Sequence, residues 1–455
     1  MLHLYNPDDT IVALSTPHGS GAIAVIRISG RSTIDTVNNY FQGTDLTKEK
    51  GYSIHFGKLV DENNNVIDEV LISLFRSPKS YTGEDLIEIS CHGSTYIINE
   101  ILRLFLRSNI RMAEAGEFTM RAFINGKMDL SQAEAVADLI ASKTKISHDI
   151  ALKQLKGGFS SEIKILREKL VDFASLIELE LDFSEEDVEF ADREDLKNLI
   201  DELTVIIKKL IESYKFGNVL KKGVPTVIIG RPNAGKSTLL NALLNENRAI
   251  VSEIEGTTRD TIEEELNING IIFRFIDTAG IREAKDTIES LGIEKTHEKI
   301  KQSSLIIYIY DISKMTLEEV KKDIDIIAEN DTPVLIVANK TDIKGSTENI
   351  PEFHIPVSAK NNENIEKLKK DIFDSVIKNK IDTSATIITN ERHHDLLIKA
   401  LNSLQNVKEG LASGIPGDLI AMDIRQANVF LGEITGTIST DDLLGNIFGK
   451  FCIGK

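Results

Sequence analysis

The sequence predicts a multidomain α/β protein: a small N-terminal α+β domain, a helical domain in two pieces, and a P-loop nucleotide domain inserted between those pieces. Three observations predict it. Short β-branched runs occupy residues 1–122. Helical periodicity without proline occupies 123–215 and returns over 381–455. Between them, over 216–380, strand-like runs alternate with helix-like ones.

The chain has 455 residues, 41% hydrophobic and 27% charged, a profile that allows two to four domains with buried cores. No stretch approaches the roughly 18 apolar residues of a membrane span. No basic segment followed by an apolar core opens the chain, so no signal peptide is expected. Only Cys91 and Cys452 occur, which excludes a disulfide scaffold and leaves no metal-ligand spacing. A cytoplasmic protein without membrane contact is the expectation. The net charge of −18 disfavours a broad, non-specific nucleic-acid binder, which needs a basic surface.

In the N-terminal domain, strands are expected at Thr10–Ser15, Ala22–Ser29, Ser53–Val60, Val66–Phe75 and Asp85–Ser90, and a helix at Thr95–Leu106. The helical domain follows from spacing: Ile163, Leu166, Leu170, Phe173, Leu176 and Ile177 fall on one face. No proline lies between Pro78 and Pro225 to break such helices. Further helices are expected within Asp395–Val407 and Asp418–Leu431. In the inserted domain, strands are expected at Thr226–Ile229, Ile271–Ile276, Leu305–Tyr310 and Val334–Val337. Helices are expected at Lys236–Leu244, Leu317–Ala328 and Ile365–Ile377. Asn269-Gly270 marks one tight hairpin in an otherwise parallel, doubly wound sheet.

Five motifs in order locate a guanine-nucleotide site. Gly230-Arg-Pro-Asn233-Ala234-Gly235-Lys236-Ser237 fits a phosphate-binding loop between a strand and a helix. Its backbone N–H groups and the helix N-terminus, which continues through Thr238, suit phosphate oxygens. Lys236 is expected on the β- and γ-phosphates, and the Ser237 hydroxyl on Mg²⁺. Gly256-Thr257-Thr258-Arg-Asp260 fits a switch whose threonine, Thr258, also ligates Mg²⁺; Ser252, Glu253, Ile254 and Glu255 lead into it. Asp277-Thr278-Ala279-Gly280 fits the next loop, with Asp277 behind the Mg²⁺ and the Gly280 N–H sensing the γ-phosphate. Asn339-Lys340-Thr-Asp342 reads the base. A carboxylate accepts guanine N1–H and the 2-amino group together, a pair adenine cannot offer. Ser358-Ala359-Lys360 fits the loop whose backbone N–H meets guanine O6. A glutamine often orients the attacking water just after the third motif, but here that place is Ile281. Arg282, Glu283, Asp286 and Glu289 are the nearby polar candidates for that task.

These motifs, together with the chain ends, resemble the tRNA-modification GTPases of the MnmE (TrmE) family, among the TrmE-Era-EngA-type GTPases. The distinctive residues are Tyr81-Thr-Gly-Glu-Asp85, Glu88-Ile-Ser-Cys-His-Gly93, Gly116-Glu-Phe-Thr119, Asn125-Gly-Lys127 and the ending Cys452-Ile-Gly-Lys455. The resemblance implies a folate-binding and dimerising N-terminal domain, a discontinuous helical domain and a Ras-like GTPase domain. It implies that the chain, with the FAD-dependent partner MnmG (GidA) in a heterotetramer or larger complex, acts on the wobble uridine (position 34) of certain tRNAs. A carboxymethylaminomethyl or aminomethyl group would be added to C5, using a tetrahydrofolate one-carbon unit. Arg27, Glu88, Lys127 and Lys455 would contact the folate, for which 5-formyl-tetrahydrofolate serves as an analogue. Cys452 would be a possible reactive thiol. The resemblance also implies a K⁺ ion bound by Asn233, Ser252, Ile254 and Thr257, and a catalytic Glu289 that positions water alongside Lys236. Two other readings compete. One is a ribosome-assembly GTPase of the same superfamily; the other is a folate enzyme regulated by its GTPase domain.

Overall fold

The computed structural model describes residues 6, 8–182, 193–244, 264–276, 300, 303–327, 332–343, 350–376 and 386–454. It divides into two compact units: Met1–Ala141, Ala151–Lys208 and Asp395–Lys455 form the first, Ser142–Ile150 and Lys209–His394 the second.

The first unit is built on a seven-stranded sheet in the order β3-β4-β5-β6-β2-β1-β7. The strands are β1 (Ile11–Leu14), β2 (Ile23–Ser29), β3 (Phe41–Gln42), β4 (Ser53–Val60), β5 (Val66–Phe75), β6 (Leu86–His92) and β7 (Arg111–Met112). All neighbours are antiparallel except β1 and β7. Alternation along β2, β5 and β6 sends Ile26, Ile28, Ile72, Leu74, Ile87 and Ile89 to one face. There they meet α1 (Thr33–Tyr40) and α2 (Thr95–Arg107), which contribute Ile34, Val37, Ile98, Ile101 and Phe105. The opposite face is covered at β1, where Ile11 and Ala13 pack with Phe118, and open at β4 and β5, with Ile54, Phe56 and Leu71 exposed and Phe56 directly across from Leu71.

The helices of this unit begin with α3 (Glu117–Ile124) and α4 (Leu130–Ala141). After α5 (Lys145–Leu155), α6 (Gly158–Asp182) buries Ile163, Leu166, Leu170 and Ile177, the face its spacing predicts. A long α7 (Arg193–Lys222) follows. Of the later helices, α11 (Glu391–Ser413) precedes α12 (Gly417–Thr435), which packs along α6. The short α13 (Asp441–Phe448) is capped by the Thr440 hydroxyl, which accepts from Leu443 N.

The second unit holds a six-stranded sheet, order β13-β12-β11-β8-β10-β9. Its strands are β8 (Val224–Ile229), β9 (Glu264–Ile268), β10 (Ile271–Phe275), β11 (Leu305–Asp311), β12 (Val334–Asn339) and β13 (His354–Val357). Only β9 and β10 are antiparallel. Asn269 and Gly270 join them with φ of 50° and 86°, the backbone a type I′ turn demands. One sheet face is covered by α8 (Lys236–Leu244) and α10 (Ile365–Val376), through Leu239, Leu243, Leu368 and Ile372. The other is packed by α9 (Leu317–Ile327) through Val320 and Ile324.

The helical texture runs on past its expected limit near Tyr214, because α7 continues to Lys222. The reason is packing: Phe216, Val219 and Leu220 join the core of the second unit.

Candidate functional site

The phosphate loop forms where β8 ends at Ile229 and α8 starts at Lys236. Two residues bend it, Asn233 with φ of 60° and Gly235 with φ of 102°. A Cβ on Gly235 would sit 2.3 Å from Asn339 Nδ2, so the position needs glycine for space as well as backbone. The N–H groups of Gly235 and Lys236 have no acceptor among the described residues. They open a concave row of donors at a helix N-terminus, suited to anionic oxygens. Lys236 lies half-buried over this row, its Nζ donating to the carbonyls of Gly230 (2.8 Å) and Arg231 (3.2 Å). Burial pushes its pKa down, so a nearby polyanion would relieve an uncompensated charge. Ser237 sits in the first helical turn and Thr238 beside it is exposed.

The base-reading loops follow β12 and β13. Asn339 is buried and works in two directions: Nδ2 donates to Ala234 O at 2.8 Å, and Oδ1 accepts from Ala359 N at 3.1 Å. Lys340, with φ of 71°, lays its ammonium between Asn233 O (2.9 Å) and Asp311 Oδ2 (2.6 Å). The Ser358 hydroxyl donates to Asp342 Oδ1 at 2.7 Å, which orients an otherwise exposed carboxylate. Because Ala359 N–H is committed to Asn339, the donor left open in this loop is Lys360 N–H, which has no acceptor among the described residues. Asn233, Ala234, Gly235, Lys236, Asn339, Lys340, Asp342, Ser358, Ala359 and Lys360 are thus brought together. Ser252, Glu253, Ile254, Glu255, Gly256, Thr257, Thr258, Asp277, Thr278, Ala279, Gly280, Ile281, Arg282, Glu283, Asp286 and Glu289 lie outside the described residues.

Two participants are not fixed by a motif: Asp311 lies outside all five, and Arg231 fills a variable position of the phosphate loop. Asp311 ends β11 directly opposite Asn339 and fixes Lys340. An acid at the C-terminal end of a central parallel strand was the available signal. Arg231 is pinned from outside by Glu319 (2.9 Å) and Asp323 (3.0 Å), and Tyr308 donates to Asp323 at 2.6 Å. This anchors the phosphate loop to α9 and β11.

In the first unit, Arg27 on β2 pairs with Glu88 directly across on β6, at 2.8 and 3.0 Å. The guanidinium also lies 5.2 Å from the Tyr81 ring centroid and 5.5 Å from that of Phe118. Its Nη1 donates to Gly454 O at 3.4 Å, and Ser15 Oγ donates to the same carbonyl at 3.1 Å. The C-terminal tail is held there by a bridge between Ala115 and Ile453. Gly454 is needed for the approach, since a Cβ would sit 2.2 Å from Leu14 O. Cys452 is exposed beside this seat, whereas Cys91 is buried, its thiol pushed up to about 11 by burial and by Asp68. Lys127 is not joined to Arg27; its Nζ donates to Pro78 O at 3.0 Å. Lys455 lies outside the described residues. The motif residues Glu84 and Glu117 clamp Arg121, which is fully buried, at 3.1 and 3.0 Å. Burial alone would raise the Glu117 carboxyl, but bonds from Arg111, Glu114 N–H and Arg121 outweigh it and the pKa is lowered.

Among the described residues no cluster of three metal-ligating side chains occurs, and no helix is long and apolar enough to cross a membrane. The family model for the MnmE helical domain matches residues 130–452, and that for the GTP-binding protein TrmE N-terminus matches residues 10–127. The chain is similar to proteins named tRNA modification GTPase MnmE. The relative from Flavobacterium psychrophilum is 54% identical, over 98% of this chain and 99% of its own. Those from Flavobacterium johnsoniae and Bacteroides thetaiotaomicron are 55% and 48% identical, with the same coverage of each chain.

Proposed function

The chain belongs to the MnmE family of tRNA modification GTPases, and on that premise we propose that it binds GTP with Mg²⁺ and hydrolyses it to GDP and phosphate in the course of modifying tRNA. The observation that carries the reading is the Asn339 brace, which fixes the base-reading and phosphate loops as one cradle. In it, Asp342 accepts from guanine N1–H and the 2-amino group, and Lys360 N–H donates to O6. Lys340 holds the loop against Asn233. Lys236 exchanges its two carbonyl acceptors for β- and γ-phosphate oxygens.

The Ser237 hydroxyl, with Thr258, would hold Mg²⁺, and Asp277 would stand behind it; hydroxyl and carboxylate oxygens suit that hard cation. When bound, Mg²⁺ neutralises charge on the phosphates. Asn233, whose side chain is exposed, would ligate K⁺ together with Ser252, Ile254 and Thr257. Such a cation offsets charge that develops between the phosphates. By the family resemblance Glu289 would position the attacking water, a task the side chain of Ile281 cannot perform.

The wider reading is that the chain, in the cytoplasm and with an FAD-dependent MnmG partner, adds a carboxymethylaminomethyl or aminomethyl group to C5 of uridine 34 in certain tRNAs. Arg27 and Glu88 would exchange part of their mutual pairing for contacts to a tetrahydrofolate, with Lys127 and Lys455 for its carboxylates. Cys452, exposed beside that seat, is the candidate reactive thiol. The open apolar strip of Ile54, Phe56 and Leu71 supports homodimerisation through the N-terminal sheet. A ribosome-assembly role is not favoured, because the resemblance to MnmE relatives extends over the N-terminal and helical parts as well.

Calorimetric titration with GTP and ATP tests the nucleotide reading. Tight GTP binding with ATP weaker by about 100-fold or more is expected from the unpaired groups ATP would leave. Comparable affinities would overturn it.

A further inference from the structure

A cavity of about 650 Å³ lies within the first unit, walled by the start of α4, the first turns of α6 and the end of α12. It is remote in sequence from every nucleotide motif. Its volume is that of a small-molecule site rather than of a trapped ion.

The charges facing it are unequally paired. Asp129 is engaged as a helix cap, accepting from Ser131 Oγ and Gln132 N at 2.9 Å each. Glu168 lies 3.7 Å from Lys164. Asp172 is exposed and carries no ion pair among the described residues. Arg167 and Lys156 are likewise cations without a carboxylate among the described residues, so the three acids and three bases of the lining balance in charge while Arg167 itself is left unpaired.

Arg167 is the unusual one. Its guanidinium is half-buried over Gly432, where a Cβ would approach Cζ and Nη2 to 3.2 Å. Its partners are neutral: Nε donates to Asn428 Oδ1 at 2.9 Å and Nη1 to Thr437 Oγ1. Nη2 makes no hydrogen bond among the described residues. Burial lowers the pKa of the group and no acid restores it. Two neutral acceptors fix the plane of the guanidinium and leave Nη2 free to donate to an oxyanion. The N-terminal turn of α6, with the Ser160 and Ser161 hydroxyls, lines the same space.

We propose that this cavity is a binding site for a small organic oxyanion, a phosphate or carboxylate compound, with Arg167 as its fork and Lys156 as its second cation. A nucleic-acid backbone is disfavoured as the occupant. From Glu162 to Glu202 the chain carries 15 acidic residues against 5 basic ones, which repels a polyanion but not a compact ligand within the cavity.

The test uses the full chain with its P-loop saturated by GDP and Mg²⁺, so that the nucleotide site does not take the probe. Inorganic phosphate and succinate are titrated separately while hydrogen exchange is followed in peptides covering 156–172 and 432–437. At least twofold slower exchange in these peptides with one or both probes is expected; phosphate alone identifies a phosphate ligand, succinate alone a carboxylate ligand. Arg167→Lys should raise the half-protecting concentration tenfold or more. Lys156→Gln should raise it several-fold with unchanged melting, because Lys156 is exposed and its side chain holds nothing in the fold. No protection by either probe, protection indifferent to both substitutions, or protection by an RNA hairpin alone would overturn the proposal.

Discussion

Asn339 is tied to Ala234 across the mouth of the second sheet: Nδ2 donates to the Ala234 carbonyl at 2.8 Å while its own Oδ1 holds Ala359 N. Three loops, the first 105 residues before Asn339 and the last 20 after it, are therefore tied together. Gly235 is where this arrangement has no slack. Gly235→Ala would place a methyl 2.3 Å from Asn339 Nδ2 on a backbone with φ of 102°. GDP affinity, read by fluorescence titration, should fall roughly tenfold or more, since a strained position and a buried bond are lost together. Unchanged affinity would mean that the brace is dispensable.

Asp342 is exposed and oriented by Ser358, so its substitution should alter selectivity rather than folding. Asp342→Asn should weaken GTP binding by about 100-fold and raise preference for xanthosine nucleotide, whose 2-oxo group needs a donor. Competition titration of the two nucleotides checks it. A variant that keeps its guanine preference contradicts the assignment.

GTP turnover should be several-fold faster in K⁺ than in Na⁺ at equal ionic strength and saturating Mg²⁺. The motivation is the exposed Asn233 at the bend of the phosphate loop, together with Ile281 where a water-orienting glutamine is absent. Steady-state phosphate release in the two salts measures it. Equal rates would remove K⁺ from the account.

Phe56→Asp should convert a dimer into the 50.5 kDa chain, because it sets a charge in the middle of the open apolar strip beside Leu71. Light scattering reads the mass, and unaltered GTP affinity confirms that the second unit is intact. A monomeric unmodified protein would dismiss the strip as a dimer surface.

Much of this architecture was legible in the residues. Strands β4 and β5 begin and end where their alternation does, because one face is buried and the other open. The Asn269-Gly270 hairpin was legible because few other pairs take two positive φ values. Helix α3 was not. Six consecutive residues, Glu117–Ala122, are buried, so no polar face produces a period, and its buried charges are satisfied from outside the helix, by Arg111 on the preceding strand and by Glu84. In the site, motifs located Lys236, Asn339 and Asp342. The roles of Asp311 and Arg231 depend on which strand ends and helices lie beside the loops, and that is a tertiary fact. Likewise, only the fold shows that Ala359 N–H is occupied and Lys360 N–H is open.

GTP hydrolysis by this chain is expected to serve tRNA modification. The most direct test is mass spectrometry of nucleosides from tRNA of a strain lacking the gene, complemented with the unmodified chain or with Lys236→Ala. Loss of the C5-modified wobble uridine is expected, with restoration by the unmodified chain and none by Lys236→Ala, whose melting should be unchanged because Lys236 faces the ligand. Wobble uridine modification that persists without the gene, or that Lys236→Ala restores in full, would contradict it.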